Sequence, residues 1–333
     1  MKTKTTIKDV AQKAGLTVGT VSRVINNRGY ISKETREKVY NVMRKLNYQP
    51  NEIARSLSKQ VSNTIGIIMP YINHPYFSLL LDELISVATQ GSYKVLLCKS
   101  NSQTELESGY IEMLLANRVA GIILCSPSVD TIKLNELRIP VITIERNNDS
   151  ATAGIVCDNY QGGVLAAEHL ISCGCKTLLH FGGVIGKSMP ADRRAEGFAE
   201  VCENKNIPYR IVPSRQEDGY AMDHSKFVED ILMQNPSVDG VFASNDILAA
   251  NTVQYCVKNH ISIPGQMKII GFDDTPLAAL CAPKLTTIQQ PVKGIAQLAV
   301  RLIQKNRFEN SNSALYVLPV QLIVRETTGR KGK

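Results

Sequence analysis

Three pairs of acid and amide side chains follow short apolar runs in this 333-residue chain. Asp158-Asn159 comes after Ile155-Val156-Cys157, Asn245-Asp246 shortly after Val241-Phe242-Ala243, and Asp273-Asp274 after Ile269-Ile270-Gly271-Phe272. Carboxylates accept hydroxyl donors, and an amide can both donate and accept. If the apolar runs are parallel strands, these pairs stand beyond the strands' carboxyl ends, where ligands sit in such sheets. Each pair is equally an ordinary helix cap, and the spacing alone leaves both readings open. Covalent chemistry finds little support. There is no nucleophile elbow, no metal-ligand spacing and no G-x-G-x-x-G phosphate loop around Gly162 and Gly163. The eight cysteines are scattered without a C-x-x-C pair, and Cys173 and Cys175 have no histidine at zinc spacing. They read as buried thiols of a reducing compartment, and His180 and His260 read as core or surface side chains. No cofactor and no metal are expected.

A second kind of chemistry sits at the other end of the chain. Residues 1–60 hold 13 Lys and Arg against 4 Asp and Glu, a balance of +9, whereas the whole chain is +8. A basic head on a near-neutral body is the electrostatic footprint of a nucleic-acid-binding module. Its pattern predicts three helices. Thr6 caps the first, with Ile7, Val10, Ala11 and Ala14 on one face, and Gly15 stops it. Thr17 caps the second, whose apolar stripe is Val18, Val21, Val24 and Ile25. Ser32 caps a third over 32–46, ended by Pro50. Two short helices joined by a glycine turn form a helix-turn-helix, whose second helix enters the major groove. A small helical bundle with a solvated basic surface has the same spacing; the concentrated charge favours DNA.

From Thr64 the rhythm changes to short apolar strands alternating with helices. Strands are expected at 65–69, 95–98, 121–124, 141–144, 177–181, 240–243 and 268–272. Helices are expected at 76–90, 105–117, 194–205 and 247–260. This alternation predicts an α/β body of doubly wound parallel sheets, and its length and repetition predict two lobes. No apolar run approaches the roughly 18 residues of a membrane span, and the start Met-Lys-Thr-Lys lacks an apolar leader, so a cytoplasmic location is expected.

The head resembles the lactose-repressor family of bacterial transcription regulators. The matching words are Thr6-Ile7-Lys8-Asp9-Val10-Ala11, Thr20-Val21-Ser22-Arg23-Val24-Ile25-Asn26, Thr35-Arg36-Glu37-Lys38-Val39, Leu46-Asn47-Tyr48-Gln49-Pro50-Asn51 and Ala54-Arg55-Ser56-Leu57. The resemblance implies a DNA-binding domain at 1–50 and a hinge helix and linker at 51–61. A two-lobed effector-binding and dimerisation domain of periplasmic-binding-protein type follows at 62–329, then a tail at 330–333. The N-lobe would comprise about 62–158 and 291–320, the C-lobe about 159–290 and 321–329. Val18 and Gly19 fall where family members choose their operator, but offer only methyl groups and bare backbone. Arg23 could pair bidentately with guanine, worth about 1–3 kcal/mol of discrimination. Thr6, Thr17, Thr20, Ser22 and Asn26 suit phosphate or register contacts. In the hinge, Asn51, Ala54 and Arg55 would lie in the minor groove, with Leu57 wedging between base pairs.

The body carries further words of the same family: Asp158-Asn159-Tyr160-Gln161-Gly162-Gly163, Arg193-Arg194-Ala195-Glu196-Gly197-Phe198, Ala243-Ser244-Asn245-Asp246, Gly271-Phe272-Asp273-Asp274 and Leu285-Thr286-Thr287-Ile288-Gln289-Gln290-Pro291. The resemblance implies an effector cleft lined by Asp158, Arg194, Asn245, Asp273 and Gln290, a set suited to a polyol. Gln290 could instead be structural at a lobe crossover. Tyr71, Tyr76 and Phe77 could form an aromatic wall or merely staple a loop. The implied protein is no enzyme. It is a homodimeric repressor of a carbohydrate operon, binding a near-palindromic double-stranded DNA operator and a small sugar or sugar phosphate. The run 158–170 looks like the sucrose- and ribose-operon branches. A sugar receptor for transport would share the cleft but not the basic head. A catabolite regulator answering to a phosphorylated carrier protein would use Arg301, but Val292 and Lys293 stand where its tyrosine is expected.

Overall fold

The computed structural model describes residues 5–26, 28–48, 62–125, 134–146, 151–184, 189–214, 222–306 and 314–329. The chain divides into two compact units, Met1–Ser62 and Asn63–Lys333.

The first unit holds α1 (Ile7–Ala14), α2 (Val18–Ile25) and α3 (Lys33–Lys45). Their apolar faces meet in a core of Val10, Ala11, Ala14, Val21, Val24, Val39, Val42 and Met43. Gly15 ends α1 at φ +62°, a left-handed conformation that glycine adopts without a Cβ penalty. The Thr17 hydroxyl accepts the Thr20 N–H at 3.1 Å, and the Ser32 hydroxyl accepts the Thr35 N–H at 3.2 Å, so both predicted caps form. Three expectations need correction. At Thr6 the reaching side chain is Asp9, whose Oδ2 accepts the Thr6 N–H at 2.7 Å and the Thr6 hydroxyl at 2.8 Å. Val18 leaves the apolar stripe: it is 41 % exposed at the first turn of α2. Helix α3 stops at Lys45, because Asn47 turns left-handed (φ 47°) and the Tyr48 N–H returns to the Met43 carbonyl at 2.9 Å. Pro50 lies outside the described residues.

The second unit contains two six-stranded sheets. Its elements are β1 (Thr64–Met69), α4 (Pro75–Gln90), β2 (Lys94–Lys99), α5 (Thr104–Ala116), β3 (Gly121–Leu124), β4 (Val141–Ile144), β5 (Ala153–Cys157), α6 (Asn159–Ser172), β6 (Leu178–Val184), α7 (Arg193–Asn204), β7 (Tyr209–Ser214), α8 (Ser225–Met233), β8 (Gly240–Ala243), α9 (Asp246–Lys258), β9 (Lys268–Asp273), α10 (Pro276–Leu280), β10 (Thr286–Gln289), α11 (Val292–Asn306), β11 (Ala314–Leu318) and β12 (Gln321–Ile323). The first sheet runs β11-β5-β4-β3-β1-β2 and the second β12-β10-β9-β8-β6-β7. Every recorded pairing is parallel except β10 with β12, an antiparallel edge that the purely parallel expectation missed.

The chain changes sheet three times. It leaves the first sheet after β5, returns through α11, which packs on α4, and leaves again between β11 and β12. Asp158 and Gln290 stand at the first two crossings, so both lie where the lobes meet. Alternate residues of the second sheet feed two cores. Leu179, Phe181, Val241 and Ile269 face one; Leu178, Phe242, Ile270, Phe272 and Ile288 face the other.

Candidate functional site

The strand ends of the second sheet converge on Arg194, in the first turn of α7. Its guanidinium lies 3.4 Å from the centroid of the Phe272 ring. Its Nε donates to Asn159 Oδ1 at 2.8 Å, and Nη1 donates to the Ser244 carbonyl. The first residue of α6, the carboxyl end of β8 and the last aromatic of β9 are thereby drawn onto one cation that is only 6 % exposed. A planar fork on an aromatic face uses both the donors and the weak hydration of arginine. Behind it, His180 stacks on Phe242 at 4.5 Å and 14°. Its Nδ1 pairs with the Phe242 carbonyl at 2.9 Å, and burial lowers its pKa to about 4, keeping the ring neutral.

Asp273 ends β9 at φ 108° and is followed by Asp274 at φ 53°. Two consecutive positive φ values cost conformational energy at non-glycine positions, a strain that clusters at functional sites. One Asp273 oxygen accepts Gln290 Nε2 at 2.7 Å. Burial raises its pKa well above the carboxylate range; nearby Arg194 pulls it down, while Asp246 and Glu145 push it up. Gln290 keeps its other polar atom, Oε1, buried with no hydrogen-bond partner among the described residues. The same holds for the Tyr76 hydroxyl, on the first turn of α4. Burial raises the pKa of that phenol, and the nearby Glu145, Cys157 and Asp273 add to the rise. Groups from both sheets therefore approach Asp273, Gln290 by a hydrogen bond and Tyr76 by its electrostatic influence. Buried unsatisfied atoms are uncommon in native proteins, and each calls for a physical explanation.

Asp158 and Asn245 serve the capping alternative. Asp158 Oδ1 accepts the Gln161 N–H at 3.0 Å at the start of α6, and Asn245 Oδ1 accepts the Leu248 N–H at 2.8 Å at the start of α9. Phe77 is buried against His74 and Tyr76, and the Tyr71 hydroxyl reaches the Asn101 carbonyl at 3.5 Å, a loop contact. The Tyr76 phenol and the Asp273 carboxyl are close enough to influence each other electrostatically.

Three further residues belong to the site. Glu145, at φ 51° just past β4, accepts the Cys157 N–H at 2.5 Å with Oε1 and Asn159 Nδ2 at 2.9 Å with Oε2. Asn159 passes the contact on to Arg194, making a chain from the first sheet to Ser244 beside the second. Asp246 lies behind Asp273; its Oδ2 accepts the Thr275 N–H and hydroxyl at 2.7 and 2.9 Å, and its Oδ1 the Thr287 hydroxyl at 2.6 Å. Glu145 had a usable signal: it is the polar residue directly after the apolar run 141–144.

In the first unit, Val18, Gly19 and Arg23 are exposed on α2, while Val21 and Val24 fill the core. The Thr17 and Thr20 hydroxyls pair at 2.9 Å, and Asn26 Nδ2 donates to the Ser22 carbonyl at 2.8 Å, closing the two ends of the helix. Asn51, Ala54, Arg55 and Leu57 lie outside the described residues. Among the described residues no helix is long and apolar enough to cross a membrane, and no cluster of three or more metal-ligating side chains occurs.

A helical reader on α2 and a two-sheet body with a buried polar cleft define a ligand-responsive DNA-binding regulator. Residues 6–51 match the family described as "Bacterial regulatory proteins, lacI family", and residues 167–328 match a "Periplasmic binding protein-like domain". The ribose operon repressor of Halalkalibacterium halodurans is 35 % identical across 97 % of each chain. The sucrose operon repressor of Pediococcus pentosaceus is 34 % identical across 96 % of this chain and 98 % of its own. Among solved structures, the lac repressor dimer bound to operator and the anti-inducer ONPF superposes with a TM-score of 0.80 at 26 % identity, covering 98 % of this chain and 99 % of that one. A lacI-family regulator from Enterococcus faecium with bound ribose gives 0.68 at 26 %, covering 81 % and 100 %. The chain belongs to the lacI family of bacterial regulatory proteins.

Proposed function

We propose that this protein is a cytoplasmic, homodimeric repressor of a carbohydrate-utilisation operon, released from or held on its operator by a small sugar bound between the lobes. It works by binding alone, without catalysing a reaction. The observation that carries the effector half is the pair of buried, unpartnered acceptor and hydroxyl atoms, Gln290 Oε1 and Tyr76 Oη, beside Asp273. A polyol would complete both, with Arg194, Asp158 and Asn245 bordering it. The DNA half rests on Val18, Gly19 and Arg23 exposed on α2 and on the family match over 6–51. Segment 51–61 supplies the hinge in this reading, with Asn51, Ala54 and Arg55 tracking the minor groove and Leu57 wedging between base pairs. Linkage then requires the sugar to prefer one DNA-binding state over the other.

Operator binding by the purified protein, measured with a panel of pentoses, hexoses, sucrose and their phosphates, tests the reading. At least one compound should shift operator affinity by tenfold or more. No shift with any member of the panel would overturn the effector assignment. Leu57→Ala should weaken operator binding far more than non-specific binding; equal loss on both would remove the wedge.

A further inference from the structure

Asp246 performs no task in the scheme above, yet it is the most elaborately held carboxyl in the body. It is 1 % exposed and accepts three hydrogen bonds from Thr275 and Thr287. Its Oδ1 also lies so close over Gly271 that a Cβ there would stand 2.5 Å away. Gly271 and Thr275 flank Asp273-Asp274, so Asp246 grips the turn that presents Asp273 from both sides. We propose that Asp246 is a positioning residue for the effector ligand Asp273, that these two buried carboxyls hold a single proton between them in the empty cleft, and that sugar binding expels it. This proposal rests on the cleft being the effector site.

The charges around the pair argue for one proton. Asp274 has its own cation: Arg325 Nη2 lies 2.6 Å from its Oδ1, and Gln289 Nε2 donates to the other oxygen at 2.7 Å. Arg194 is the cation recorded against Asp273, and it is committed to Asn159, Ser244 and the Phe272 ring. Against it stand Asp273, Asp246 and Glu145, with the neutral Tyr76 phenol and Cys157 thiol facing Asp273 from the first sheet. Asp246 faces Asp274 and the Cys281 thiol as well. Two buried carboxylates, of which only Asp273 has Arg194 acting on it, cannot both ionise cheaply. The pKa of Asp246 is pushed up to about 7 by burial, against its three hydrogen bonds, and burial likewise raises that of Asp273.

Hydrogen bonding places the proton. Both Asp246 oxygens already accept donors, an arrangement that favours the carboxylate. Asp273 accepts only Gln290 among the described residues. The proton therefore resides on Asp273 while the cleft is empty. Gln290 Oε1 and the Tyr76 hydroxyl, 4 % and 6 % exposed as residues and both unpartnered, mark where a sugar must come. A sugar hydroxyl donating to Asp273 needs an acceptor oxygen. The carboxyl O–H bond then breaks, its proton passes to solvent, and the sugar hydroxyl takes its place on that oxygen. Affinity follows the ionised fraction, so it falls toward tenfold per pH unit below the pair's titration and levels off above it.

The test has two arms. Infrared difference spectra of the sugar-free full-length protein, recorded across pH 5.5 to 8.5, should contain the carbonyl stretch of a protonated carboxyl that disappears near neutrality. Asp246→Asn and Asp273→Asn should each remove that neutral-range band; circular dichroism confirms that each variant is folded. A parent spectrum without the band above pH 6, or a band unchanged in Asp246→Asn, overturns the proposal. The second arm is titration calorimetry with D-ribose, D-xylulose and sucrose in two buffers of different ionisation enthalpy. The sugar that binds should release close to one proton per site at pH 6.5, and Asp246→Asn should flatten the affinity profile between pH 6 and 8. Binding without proton release overturns the linkage. A band that behaves as expected while no sugar binds upholds the shared proton and sinks the effector reading instead.

Discussion

Gly163 of α6 sits directly against the backbone of Arg194 in α7. A Cβ at Gly163 would collide with the Arg194 carbonyl oxygen, and one at Gly197 would collide with the Tyr160 carbonyl. The two helices thus cross glycine on backbone in both directions, which is why the residue after Asp158 and the first turn of α7 can share a hydrogen bond. Backbone has no rotamer through which to yield, so Gly163→Ala must push α7 away. The expected cost is about 1–3 kcal/mol of stability, with a larger relative loss in sugar response as Arg194 leaves Asn159. Thermal unfolding together with sugar-dependent operator release checks both; a variant that responds like the parent would show that this crossing does not position Arg194.

Arg194 should not tolerate lysine. Lysine has no planar fork for Asn159 and Ser244, and its compact ammonium would meet Phe272 without guanidinium stacking. Arg194→Lys and Arg194→Ala should therefore both abolish the sugar response while operator affinity without sugar stays within a few fold. Lysine retaining more than a tenth of the parent's response would show that charge alone, not the fork, is what the cleft uses.

On α2, Val18 is exposed and Gly19 has no side chain, so Arg23 is the exposed residue of the helix able to read a base by hydrogen bonds. Arg23→Ala should weaken operator binding by about 1–3 kcal/mol and flatten discrimination at a single guanine position. Its effect on bulk DNA should be smaller and confined to the salt slope. Competition binding with single-base operator variants reads this out; a uniform loss across all variants would make Arg23 a phosphate contact.

The sequence showed what depends on short-range pattern. Thr17 and Ser32 cap where their spacing placed them, and the apolar runs at 121–124, 141–144 and 240–243 are strands with those bounds. It hid what depends on the return of distant chain. Strands β11 and β12 lie two residues apart in sequence yet add to different sheets, one parallel and one antiparallel, and no local periodicity encodes that. The cleft divides the same way. Arg194 and Asp273 stood out through resemblance, whereas Glu145 and Asp246 gain their meaning from partners 12 to 41 residues away. Asp158 and Asn245 show why the capping alternative had to stay open: each does cap its helix.

His180 offers a test of the core behind the cleft. It is fully buried, stacked on Phe242 and near Arg194, and its pKa is lowered to about 4 from 6.5, chiefly by desolvation. The folded protein therefore binds fewer protons than the unfolded chain between these values, so stability rises with pH through that window and is lost as pH falls from about 6.5 toward 4. The linkage amounts to about 2–3 kcal/mol by pH 4.5. His180→Phe keeps a ring in the stack but forfeits the bond to the Phe242 carbonyl, a cost of about 1 kcal/mol at pH 7.5. Lacking a titrating group there, the variant should recover relative to the parent as the solution is acidified and overtake it by pH 4.5. The other buried groups, His74 and Asp246 among them, are common to both proteins and cancel in the comparison. Urea unfolding of both at pH 7.5 and pH 4.5 gives the difference directly. A stability gap that stays constant between the two pH values would mean that His180 titrates alike in the folded and unfolded chain, and the desolvated stack would not be what keeps it neutral.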